Sequence, residues 1–165
     1  MNDAFQLIRK HRGEGLLVDT NLLLLHLVGK TNPGRIQNFK RTSRYTVEDF
    51  DVLVEIIAQF GTLITTPHVL TELSNLGRLQ GDEQLSFRSC FVDVIEQATE
   101  HCDESRSVVK DPSFERLGPT DAAISALSRH NYLFLTDDMD LCITLLNRGV
   151  DVVNFSYQQQ LRWAL

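Results

Sequence analysis

The residues of this chain that carry chemistry are carboxylates. Asp19 follows the apolar run Leu16-Leu-Val18 without a break, and Asp137 and Asp138 follow Leu133-Phe-Leu135 after a single threonine, with Asp140 two further on. Glu72 lies about one and a half helical turns beyond Thr62-Leu-Ile-Thr65. Asp121 falls in the first turn of a helix opened by Pro119-Thr120. Several carboxylates drawn to one place raise each other's pKa and repel. A hard divalent cation with oxygen ligands offsets that cost directly. Each acid alone also has a plainer role. Asp121 complements a helix N-terminus, Glu72 is a solvated helix residue, and Asp137, Asp138 and Asp140 form a capping run. Asp19 is the hardest to read that way, because it interrupts apolar sequence between Val18 and Leu22.

Positioning these acids needs a particular scaffold. Short apolar runs alternate with helical patterns: strands at 15–18, 62–65, 132–135 and 151–154, and helices over 22–28, 47–60, 68–76, 82–99 and 122–129. Thr46 and Thr66-Pro67 are helix starts, and residues 101–118 read as irregular. Alternation of this kind predicts an α/β fold: three α/β/α layers around a mostly parallel sheet of four to five strands. Such sheets bind ligands outside the carboxyl ends of their strands, which is where these acids fall.

The chain has 165 residues, the length of a single domain over 1–165, and its 42% hydrophobic and 23% charged residues are an ordinary globular mix. Net charge is -6, against the basic balance usual for a nucleic-acid binder. The charge is uneven, however. Residues 29–45 hold Lys30, Arg35, Lys40, Arg41 and Arg44 and no acid, and Gly29, Pro33 and Gly34 there break regular structure. If all of these cations met phosphates, log affinity for a single strand would fall with log salt at a slope of about -3.5. The smaller run of Arg9, Lys10 and Arg12 reads as a solvated terminus.

Cys90, Cys102 and Cys142 make neither a disulfide framework nor a CxxC pair, and His101-Cys102 is at most half a zinc site. Reduced thiols and the lack of an apolar leader predict a cytoplasmic protein with no membrane contact.

Four segments together resemble the motifs of PIN-domain nucleases, in that family's order: Leu17-Val-Asp-Thr-Asn21, Thr66-Pro-His-Val-Leu-Thr-Glu-Leu73, Pro119-Thr-Asp-Ala-Ala-Ile124 and Phe134-Leu-Thr-Asp-Asp-Met-Asp-Leu141. The first and last are fairly specific and the middle two are weak singly; together they span about residues 15–155. The resemblance implies a Mg²⁺- or Mn²⁺-dependent endoribonuclease acting on single-stranded RNA. Asp19, Glu72, Asp121 and Asp138 match the family's catalytic, metal-binding acids, and Asp140 matches a frequent fifth ligand. Asn21 and Thr136 match the polar residues that orient them, whereas Asp137 falls where the family varies. His68, four residues before Glu72, reads as a partly buried first-turn residue.

The resemblance also implies a possible homodimer and, for the toxins of toxin–antitoxin pairs, a protein inhibitor. The basic insertion at about 29–45 departs from those small toxins, and we assign its five cations to substrate binding. A catalytically silent module of the same fold, binding RNA or docking a protein, is the alternative. DNA flap nucleases carry more acids. Phosphatases of the phosphotransfer kind want Asp-x-Asp after the first strand, where this chain has Asp19-Thr-Asn21, and receiver domains want a lysine after a late strand, where none follows Leu135 or Asn154.

Overall fold

Leu16–Val18 (β1) is buried at every position and Leu133–Thr136 (β4) likewise, as strands covered on both faces must be. In the computed structural model, which describes residues 4–157, these two pair in parallel at the centre of the sheet. Leu63–Thr65 (β2), Ala98–Glu100 (β3) and Val152–Asn154 (β5) complete it in the order β3-β2-β1-β4-β5. All pairings are parallel. Sequence order runs outward from β1 on one side and returns beside it on the other, so the topological switch lies between β1 and β4. The crevice of a doubly wound sheet opens there, at the carboxyl ends.

Helices cover the sheet: Ala4–His11 (α1), Thr20–Thr31 (α2), Val47–Ile57 (α3), Pro67–Leu76 (α4), Gly81–Gln97 (α5), Ser105–Val108 (α6), Phe114–Ala126 (α7) and Met139–Asn147 (α8). Leucine-rich α2 is buried from Leu22 through Gly29 because α3, α4 and α5 all pack against it. Thr46 opens α3 with a reciprocal capping box to Asp49, and Thr66 caps α4 ahead of Pro67. Among the described residues, no helix is long and apolar enough to cross a membrane.

The structure departs from the sequence reading in four places. The N-terminal residues form a helix the sequence did not mark, α1, which buries Leu7, Ile8 and His11 while Arg9, Lys10 and Arg12 stay exposed. Lys10 pairs with Asp151 at 2.6 Å, and the His11 ring reaches both Asp151 and the Asn131 carbonyl. The helix expected over 82–99 stops at Gln97, and Ala98–Glu100 pairs with β2 as an edge strand. Residues 101–118 contain α6 and the first turn of α7, which Gly118 (φ 81°) breaks just before Pro119. Gly29 does not end regular structure. It lies inside α2, where a Cβ would come within 2.3 Å of the Phe50 ring, so its missing side chain lets α3 approach.

Residues 29–45 are therefore packed. Pro33–Arg35 forms a 3₁₀ turn capped by Asn32, and Ile36, Thr42 and Tyr45 are buried. The Thr42 hydroxyl donates to the Ile36 carbonyl at 2.8 Å, holding the loop closed on itself.

Candidate metal centre

Asp19 sits where β1 ends and α2 begins, beside the end of β4. Its Oδ1 accepts the N-cap hydrogen bond from Leu22 N–H at 2.9 Å. Its Oδ2 accepts from the Asp137 N–H at 3.0 Å and from the Thr136 hydroxyl. The carboxyl is only 3% exposed. Burial, followed by the charge of Asp137, pushes its pKa up to about 7, against the opposing pull of those three donors.

Thr136 acts on two acids at once. Its hydroxyl donates to Asp19 and accepts from the Asp138 N–H at 3.0 Å. Asp138 in turn caps α8, accepting from Leu141 N–H at 2.9 Å. Thr136, the last residue of β4, therefore aligns the ends of β1 and β4.

Asp121, in α7, is half-buried. Burial raises its pKa to about 6, with Asp138 and Glu72 adding to the rise. Glu72 in α4 accepts from the Thr20 hydroxyl at 3.2 Å. The acids expected to act together are thus linked in two groups. Asp19 meets Asp137 through β4, while Asp121 feels Glu72 and Asp138. Thr136 joins the groups by bonding both Asp19 and Asp138.

Other expected residues are placed differently. Asp140 is exposed and turned to Arg116, whose Nη1 is 3.2 Å away. Asn21 lies half-buried in the first turn of α2, and His68 is half-buried with a sealed, unpartnered Nδ1. Among the five cations of the basic segment, Arg35 pairs with Glu83 at 2.6 Å and Arg44 with Asp137 at 2.6 Å. Lys30, Lys40 and Arg41 stand exposed.

Three residues that sequence reasoning ranked low or left out belong to this rim: Thr20, Tyr45 and Asp137. Two consecutive acids after a strand are the one local sign of Asp137. Nothing local marks Tyr45, whose hydroxyl donates to Asp137 from 92 residues away.

The donors are oxygen only, as a hard cation requires. Burial raises the pKa of both Asp19 and Asp121, with Asp137 adding to the rise at Asp19 and Asp138 and Glu72 at Asp121, a cost that a cation would relieve. Asp137 Oδ1 is buried with no hydrogen-bond partner. By donor chemistry the residues fit Mg²⁺ or Mn²⁺. Among the described residues, however, no three acidic, histidine or cysteine side chains are close enough to hold an ion as they stand. No family model matches the chain, and no curated protein matches it.

Proposed function

We propose that this chain is a cytoplasmic PIN-like endoribonuclease that hydrolyses phosphodiester bonds of single-stranded RNA with Mg²⁺ or Mn²⁺ held by Asp19, Glu72, Asp121 and Asp138. The observation carrying this reading is the placement of strained carboxyls at the topological switch of a parallel sheet. Asp19 and Asp121 are both held well above the ordinary carboxylate range there. Acids perturbed by burial and by specific charged neighbours are candidates for a functional site. The four-motif resemblance supplies the reaction class.

Hydrolysis adds water across the P–O3′ bond: the water oxygen joins phosphorus, and the 3′ oxygen leaves and takes a proton. A divalent ion, when bound, supplies acidified water and positive charge opposite the transferring phosphoryl group. The chain supplies orientation. Asp19 is fixed by the Leu22 and Asp137 amides and the Thr136 hydroxyl. Glu72 is held by Thr20, and Asp138 by its own N-cap bond. Asp140, paired with Arg116 on the surface, is left out of the ligand set.

The decisive experiment incubates purified protein with end-labelled single-stranded RNA and Mn²⁺. Cleavage leaving 5′-phosphate ends, abolished by chelation and reduced at least about a hundredfold in Asp121→Asn, is expected. Asp121 is the better target than Asp19, whose three accepted hydrogen bonds also hold the fold together. RNA binding without Mn²⁺-dependent cleavage would leave the silent binding module.

A further inference from the structure

Asp137 is a buried carboxylate whose cation comes from an exposed side chain. Its side chain is 4% exposed, whereas Arg44, with Nη2 2.6 Å from Asp137 Oδ2, is 56% exposed. Tyr45, itself buried, donates its hydroxyl to the same oxygen. Arg44 Nη2 also donates to Tyr45 OH at 2.8 Å, and its guanidinium lies 4.9 Å from that ring's centroid. Asp137 Oδ1 has no partner, and the Asp137 N–H is bonded to Asp19. The end of the basic segment is thus latched onto the acidic rim.

The two partners differ in what separation costs them. A buried carboxylate stripped of its cation is costly to leave unpaired. A half-exposed guanidinium regains water as it withdraws, and stacking on Tyr45 gives it a resting place. Arg44 can therefore leave Asp137 when another cation takes over that charge. The hold on Arg44 extends beyond its immediate partner, since its guanidinium also feels the charge of Asp19.

We propose that Arg44 is a built-in counter-ion that occupies the acidic rim until a divalent cation displaces it from Asp137. This rests on the metal-centre reading above. The displacement couples ion to substrate, because it frees beside the rim a planar, bidentate donor suited to phosphate. Ion and nucleic acid then favour each other's binding by the same factor.

Calorimetric titration of Mn²⁺ tests this on wild type, Arg44→Gln and Arg44→Lys, with the Arg44 side-chain Nε–H resonance followed during a Mg²⁺ titration of wild type. Arg44→Gln is expected to bind Mn²⁺ about tenfold more tightly, having lost the competing charge. Arg44→Lys, which keeps that charge, should stay within about threefold of wild type. The Arg44 resonance should shift in step with Mg²⁺ uptake. Equal Mn²⁺ affinity in wild type and Arg44→Gln, or an unmoved Arg44 resonance at Mg²⁺ saturation, overturns the counter-ion role and leaves the metal centre standing. A wild-type protein that takes up no Mn²⁺ removes both.

Discussion

The Thr20 hydroxyl lies 3.2 Å from Glu72 Oε2 and donates to it, tying the first turn of α2 to the second turn of α4. Thr20 immediately follows Asp19, so one dipeptide both supplies an acid and steers another that is 52 residues away. Outer partners of this kind typically matter 10–100-fold in metal affinity or activity. Thr20→Val keeps the shape and removes the donor. We expect Mn²⁺ affinity to fall about tenfold while unfolding free energy changes by less than about 1 kcal/mol. Full affinity in that variant, measured by calorimetry, would rule out a positioning role for Thr20.

Asp121 links the site to stability. Its pKa is raised from 3.8 to about 6, by burial first and by Asp138 and Glu72 after it. Between those values the folded state holds more protons than the unfolded one. The contribution is therefore fully present below the unfolded pKa and is lost as pH rises through the folded one. Near neutral pH, Asp121→Asn should gain about 1 kcal/mol over wild type, after allowing for partial solvent screening. The gain should vanish near pH 4. Urea denaturation at both pH values, without divalent ions, checks this; a variant less stable than wild type at neutral pH contradicts it.

Thr136 donates to Asp19 and accepts from the Asp138 backbone, so its loss strands groups on both sides of the β1–β4 seam. Thr136→Val should lower unfolding free energy by about 2–3 kcal/mol, because a buried acceptor loses its donor. Thr136→Ser retains the hydroxyl and should stay within about 1 kcal/mol of wild type. Indistinguishable denaturation midpoints for Val and Ser would show that the hydroxyl does not bear this strain.

RNA binding should depend on salt less steeply than five free cations would require. Arg35 is committed to Glu83, and Arg44 to Asp137 in the absence of an ion. With Lys30, Lys40 and Arg41 exposed, the log–log slope for a single strand without divalent ions should be about -2. Fluorescence anisotropy across a salt series measures it. A slope near -3.5 would mean that both pairs open on binding.

Much of this fold was legible along the chain because its signals are local. Apolar runs marked β1, β2, β4 and β5, and the caps at Thr46 and Thr66 marked α3 and α4. Alternation then predicted a parallel sheet with acids at its carboxyl edge, and the sheet has five parallel strands. β3 escaped because Ala98-Thr-Glu100 is a half-exposed edge strand continuing a helical pattern, defined by pairing with β2 rather than by apolar content. α1 escaped because Lys10 and His11 look like tail residues until Asp151 arrives from 140 or more positions away.

By itself, the sequence determined which groups can do chemistry and at which strand ends they appear. Residue type and spacing are covalent facts, and strand ends follow from apolar pattern. Which acids face one another was decided only by the tertiary structure. Asp140 turns to Arg116, and Asp137 turns inward to Tyr45 and Arg44. Those outcomes depend on α7 and on the 29–45 loop, and no local pattern encodes a partner that folding brings from elsewhere. The pKa values of Asp19 and Asp121 belong to the same class, because burial and neighbouring charge exist only once the chain has closed around them.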